Sequence, residues 1–283
     1  MMLSLSNSIS RARASKKKSV LLVPQTGLIL AVSSKKLVPA YSGNCITLQR
    51  DSDAAIQSFG FNADAAIASF LGGQTGFVTA WFNQVYATMD FVSLTTATRP
   101  TWSSSLKRII FDGTTQLRLS TFPVEARTPL TSTSGFSYFF RAKSTSANTA
   151  SKTLLQHAGG NFATAIELFW NNPSTVARIN YVKTPGDSIQ ALSSVANTML
   201  NNENIVYGAT LNYTTGQTRL YKNSTVIATG TTVITSSEAT YPRQFNLAYP
   251  GFGTNRFIGD IESGLIYNRG LSAAEVDQVL LAI

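Results

Sequence analysis

Two carboxylates, Asp260 and Glu262, stand at i, i+2 spacing in the run Gly-Asp-Ile-Glu-Ser-Gly. On a strand that spacing turns both side chains to one face. Paired carboxyl groups are what glycoside hydrolysis requires, about 5–5.5 Å apart for retention and farther for inversion. A further acid, Glu167, lies in the strand-like run Ala-Ile-Glu-Leu-Phe-Trp. The competing reading puts Asp260 and Glu262 on the solvent face of a strand, or in ion pairs with Arg256 or Arg269. We expect that reading to hold, and we expect no catalytic residue.

Other chemistry has less material. Trp81, Trp102 and Trp170 offer ring faces on which sugars stack, so they are candidate glycan-binding residues, although strand context predicts at least two in the core. Calcium asks for clustered oxygen ligands. Phe-Asp-Gly-Thr-Thr-Gln supplies only Asp112, and Asn201, Asn202, Glu203 and Asn204 lack a metal-site spacing. Turns account for both stretches, and no metal is expected. The glycines of Leu-Gly-Gly-Gln-Thr-Gly-Phe lack the Lys-Ser/Thr of a phosphate-binding loop. Cys45 and His157 are each single in the chain. No intrachain disulfide can form, one histidine is thin material for a zinc site or a triad, and no cofactor is expected. Cys45 reads as a small buried hydrophobe.

The charge is unevenly placed. Charged residues are 13% of the 283, and the net charge is +9. Before Asp51 stand eight basic residues and no acid, among them Arg11, Arg13, Lys16, Lys17 and Lys18. Residues 1–26 therefore read as a basic, Ser-rich arm, and like-charge blocks of this kind are solvated or partner-seeking tails. No aromatic precedes Tyr41, which removes the stacking component of single-strand nucleic-acid binding. No amphipathic stripe suits a membrane surface either. The expected partner of Arg11, Arg13 and Lys16–Lys18 is an acidic face of a neighbouring subunit in an oligomer or symmetric assembly. The apolar run from Val20 to Val32 is broken by Pro24-Gln25-Thr26-Gly27 and is too short to span a bilayer. Two short strands around that turn are expected, in preference to a cleaved signal.

The rest must position whatever chemistry exists. Ser-Gly-Phe-Ser-Tyr-Phe-Phe places Phe136, Tyr138 and Phe140 on one strand face, and Ile205, Tyr207, Ala209, Leu211 and Tyr213 alternate in the same way. Phe245, Leu247 and Tyr249 repeat the pattern. Hairpin turns are predicted at Thr215-Gly216 and Asn223-Ser224. Helices are predicted in Asn-Ala-Asp-Ala-Ala-Ile-Ala-Ser-Phe-Leu-Gly-Gly, capped by Asn62 and stopped at Gly72, and at the C-terminus. There Ser272 and Glu275 form a capping box ahead of Val276, Val279 and Leu280. Residues 27–283 read as one domain, a two-sheet antiparallel sandwich.

Residues 40–84 and 99–120 resemble the β-sandwich domain of the fungal arabinofuranosidase B type, which also occurs in bacteriophage virion proteins. The closing strand and Tyr-Asn-Arg-Gly-Leu-Ser-Ala-Ala-Glu-Val-Asp-Gln-Val-Leu look like the end of laminin-G-like, concanavalin A-like domains. Thr-Arg-Leu-Tyr-Lys-Asn-Ser-Thr-Val-Ile-Ala-Thr-Gly is similar to that family's hairpin with a short Asn-containing turn. Together the likeness covers roughly residues 28–283. It implies an all-β, jelly-roll sandwich of the concanavalin A-like class, with an extended N-terminal arm and a short C-terminal helix over the edge or end of the last strand.

The chain departs from the resemblance at Trp81-Phe82-Asn83-Gln84-Val85-Tyr86, where the family reads Trp-Tyr-Asp-Gln-Ser-Gly. The family's catalytic carboxylates align with no residue here, and the third acid of concanavalin A-like glucanases is replaced by Gly264. The resemblance thus implies a non-enzymatic virion protein, a capsid decoration or tail-associated module anchored by its arm. The alternative is a carbohydrate-binding adhesin for host glycans, with a glycosidase third.

Overall fold

The computed structural model describes residues 23–121, 135–145, 152–159, 165–171, 176–182, 190–196, 198–231, 243–249 and 256–283. Arg11, Arg13, Lys16, Lys17 and Lys18, and with them the arm up to residue 22, lie outside the described residues. So does the first of the two strands expected around Pro24–Gly27.

The chain first lays down β1 (Leu28–Ser33), β2 (Ile46–Arg50) and β3 (Ile56–Phe59), then helix α1 (Asp64–Leu71). There follow β4 (Gly76–Trp81), β5 (Phe91–Val92), β6 (Thr101–Ser103), β7 (Arg108–Asp112) and β8 (Leu117–Leu119). Longer strands come next: β9 (Phe136–Ser144), β10 (Lys152–Gly159), β11 (Ala165–Asn171), β12 (Val176–Val182) and β13 (Gln190–Ser193). The last group is β14 (Asn204–Leu211), β15 (Gln217–Lys222), β16 (Thr225–Thr231), β17 (Arg243–Leu247), β18 (Ile258–Tyr267) and helix α2 (Ala273–Ala282). Among the described residues no helix is long and apolar enough to cross a membrane.

Every pairing between these strands is antiparallel, so the expected all-β class holds. Two discrete sheets are not what the hydrogen bonding gives. The order β16-β15-β14-β9-β18 passes to β7, β6 and β4, and from there through β5 and β8 to β17-β10-β11-β12-β13. β13 returns close to β15 and β16, so the sheet nearly closes on itself around its core in a barrel-like curl. Tight curvature of this kind needs irregularities in pairing, and β18 has one between Ile261 and Ser263.

Strand alternation decides the packing. Phe136, Tyr138, Phe140, Ile205, Tyr207, Ala209 and Leu211 all enter the central core. Phe139 and Val206, one residue out of phase, join Leu265, Tyr267, Val276 and Val279 in a second apolar cluster. Helix α2 therefore covers the outer face of β9, β14 and β18, rather than an edge or end of the last strand. Its capping box is as expected, with the Ser272 hydroxyl accepting from Glu275 N and the Glu275 carboxylate accepting from Ser272 N. Gly208 lies under this cluster, where a Cβ would sit 2.2 Å from the Phe139 ring. Helix α1 ends at Gly72 in the left-handed region (φ 55°), but its N-cap is Ala63, which makes no side-chain cap. Asn62 is itself at φ 58°, a turn conformation that keeps it out of the capping position.

The Asn83-Gln84 departure has a structural reading. Asn83 Oδ1 accepts from Ala31 N at 2.9 Å, and Asn83 Nδ2 donates to Ile29 O at 3.0 Å. Gln84 Oε1 accepts from Leu37 N and Val38 N while its Nε2 donates to Lys35 O. One amide thus closes the edge of β1 as donor and acceptor together, which a carboxylate cannot do.

Candidate functional site

Asp260 and Glu262 are held in ion pairs. Arg108, on β7 beside β18, donates from Nη1 to Asp260 Oδ1 at 2.9 Å and from Nη2 to Glu262 Oε2 at 2.9 Å. Lys35 Nζ adds a bond to Glu262 Oε1 at 2.7 Å. Burial raises the Asp260 carboxyl against the pull of Arg108. Burial also pushes Glu262 up, but the Lys35 hydrogen bond and charge, with Arg108, hold it below its ordinary value. Both carboxylates are ion-paired, but with Arg108 and Lys35 rather than with the expected Arg256 or Arg269. Arg269 instead grips Glu275, and Arg256 stacks over Tyr249. Gly264 lies opposite Phe140, and a Cβ there would come 2.3 Å from that ring, so no acid fits.

The tryptophans divide. Trp81 is 2% exposed and Trp170 is 0% exposed, both inside the central core, so neither presents a face to a sugar. Their rings are sequestered because both fall at inward positions of β4 and β11. Trp102 is half-buried and lines a surface cavity. Asp112 Oδ1 is spent on Thr114 N and Thr115 N, and Glu203 pairs with Lys222, so both belong to turns and ion pairs. Among the described residues no three His, Cys, Asp or Glu side chains gather as metal ligands. His157 is buried, its Nδ1 2.8 Å from the Tyr138 hydroxyl. Burial pushes the Cys45 thiol up to about 11, which leaves little thiolate at neutral pH.

Glu167 leads to a different arrangement. β17, β10, β11 and β12 lie side by side, with Asn246 opposite Gln156, Gln156 opposite Glu167 and Glu167 opposite Asn180. On the next strand, β8, Arg118 stands opposite Asn246. Neighbouring strands are about 4.8 Å apart, so these side chains form one row running across the sheet. Their strand neighbours Leu155, Ile166, Leu168, Ile179, Phe245 and Leu247 point into the core. The row is therefore on the face away from the core.

The members are linked. Gln156 Nε2 donates to Glu167 Oε1 at 2.6 Å, Asn246 Nδ2 to Gln156 Oε1 at 3.4 Å, and Arg178 Nε to Asn180 Oδ1 at 2.6 Å. Burial raises the Glu167 carboxyl, opposed by the Gln156 bond, the Arg178 charge and a hydrogen bond with Asn180. Gln156 and Asn246 are buried, whereas Glu167, Asn180, Arg178 and Arg118 are partly exposed. A face with amide, carboxylate and guanidinium groups at regular spacing can exchange hydrogen bonds with a hydroxyl-rich ligand. Sequence reasoning singled out Glu167 alone. The missed signal is a polar residue at the outward position of four strands: Gln156 in Leu-Leu-Gln-His, Glu167 in Ile-Glu-Leu, Asn180 in Ile-Asn-Tyr and Asn246 in Phe-Asn-Leu.

The fold has relatives of known structure. Over 61% of this chain and 96% of theirs, it superposes on the CBM40 module of the Ruminococcus gnavus IT-sialidase bound to α2,3-sialyllactose, with a TM-score of 0.51 and 19% identity. An arabinofuranosidase complexed with arabinofuranosyl-α-1,2-xylobiose matches over 90% of this chain, with a TM-score of 0.59 and 11% identity. A GH54 α-L-arabinofuranosidase soaked with a cyclic sulfate inhibitor gives 0.56 at 14% identity. This chain spans 62% of the length of each arabinofuranosidase. At such identities the likeness is one of fold. No family model and no curated protein sequence matches the chain.

Proposed function

We propose that this protein binds carbohydrate on the outer face of β17, β10, β11 and β12, through the partly exposed Glu167, Asn180 and Arg178, with the buried Asn246 and Gln156 positioning Glu167 from behind. The observation that carries the proposal is the continuous side-chain row, with its two buried amides holding Glu167 in place. Ordering polar side chains before the ligand arrives lowers the entropic cost of binding. The fold neighbours support it, since both a sugar-bound module and sugar-cleaving enzymes share this architecture. We further propose that the curled sheet is a jelly-roll sandwich whose two layers are β1-β18-β9-β14-β15-β16 and β8-β17-β10-β11-β12-β13.

The action proposed is binding without cleavage. Hydrolysis by the usual routes takes two carboxyl groups across the scissile bond, and among the described residues of this row Glu167 is the one carboxylate. Recognition of a glycan suits a displayed or adhesive role better than a purely structural one. Screening the full chain against a glycan array tests the proposal. Wild type should retain a defined saccharide class, and Asn180→Ala should lose signal on it. Equal signals for the two proteins on every retained glycan would place the binding elsewhere.

A further inference from the structure

We infer that a second site, separate from the strand row, takes a carboxylated monosaccharide in the cavity beside Trp102. The cavity holds about 200 Å³ between the segment after β1, the start of β2, the turn leading into α1 and the β6–β7 hairpin. Ile46, Ile67 and Trp102 give it an apolar wall, and Lys35, Lys36 and Lys107 line it too, with Asp64 the one acid among the lining residues.

The charges do not cancel. Lys107 Nζ is fixed by Asp64 Oδ2 at 2.5 Å, and Lys35 by Glu262, which shares Arg108 with Asp260. Lys107 and Asp64 form one closed pair, and Lys35 and Arg108 with Glu262 and Asp260 form a separate group of two cations and two carboxylates. Lys36 is exposed and has no ion pair among the described residues. A lining cation without an ion-pair partner suits an anionic ligand. Lys35 and Lys107 already have ion-pair partners, so Lys36 is the lining cation left to meet a ligand carboxylate. An indole beside it offers the apolar surface on which the C–H face of a sugar ring packs. The cavity has room for one ring rather than a chain.

Trp81 and Trp170 are buried, so Trp102 is the tryptophan whose fluorescence a ligand here would change. Titrating the full chain with glucuronate, and separately with glucose, tests the inference. Glucuronate should give a saturable change that weakens about tenfold in Lys36→Gln and weakens with added salt, as a charge-assisted contact at the surface does. Glucose should give none of comparable strength, and Glu167→Gln should leave the glucuronate response intact. This last result separates the cavity from the strand row, so either site can fail alone. The inference is overturned if glucuronate gives no saturable change, if glucose binds equally well, or if Lys36→Gln leaves the affinity unaltered. Lys36 is exposed, so its substitution does not endanger folding.

Discussion

Gln156 Nε2 and Glu167 Oε1 stand 2.6 Å apart, on neighbouring strands and on the face turned away from the core. Gln156 is 1% exposed, so its amide is fixed before any ligand arrives. A ligand hydroxyl would meet a carboxylate whose orientation is already set.

Glu167 should make stability depend on pH. Its carboxyl is raised by burial, so the folded state keeps a proton that the unfolded chain has lost. Stability from this group therefore falls as pH rises from the ordinary glutamate value through the folded value, and is level above it. Glu167→Gln removes that slope while keeping an acceptor for Gln156. The melting temperature of the variant relative to wild type should be higher at about pH 8 than at about pH 4. A difference that is flat with pH would contradict this assignment.

Arg108 should be a stability residue. It serves Asp260 and Glu262, whose side chains are 9% and 11% exposed. Arg108→Ala takes the hydrogen-bonded cation from a nearly buried Asp260 and leaves Glu262 with Lys35 alone, and should cost about 3 kcal/mol, the range for breaking a buried ion pair. Adding Asp260→Asn and Glu262→Gln should recover part of that loss. Chemical denaturation of the single and triple variants measures both effects.

How much of this was legible in the sequence follows from which patterns are local. The Ser272–Glu275 box and the Gly72 stop were readable because each is set within one turn of chain. The Phe136–Tyr138–Phe140 alternation was readable because a strand has period two. The strand row was not, because Asn246, Gln156, Glu167 and Asn180 become neighbours only through three cross-strand registers. The same holds for Arg108, which lies about 150 positions from its carboxylates. Asn62 misled because a good capping residue at the right distance adopted a left-handed turn instead. Trp81 and Trp170 offered sugar-stacking faces by residue type, and the alternation of their strands turned those faces inward.

The end of the chain has its own pH signature. Arg269 and the Ser272 backbone hold the Glu275 carboxyl at about 2. A depressed carboxyl contributes stability above its ordinary value, and that contribution is lost as pH falls toward the folded value. Glu275→Ala should lower the melting temperature at neutral pH and have little effect near pH 2, with Ser272→Ala costing about 1 kcal/mol at neutral pH. Thermal melts across that pH range supply the check.

The most direct test is a calorimetric titration of the best array-selected saccharide into wild type and Glu167→Gln. Losing a hydrogen bond to a charged group is worth about tenfold or more in affinity. The account predicts saturable binding by wild type and at least that loss in the variant, with the fold unchanged by circular dichroism. Binding of equal strength to both proteins would contradict it, and so would no binding of any saccharide by wild type.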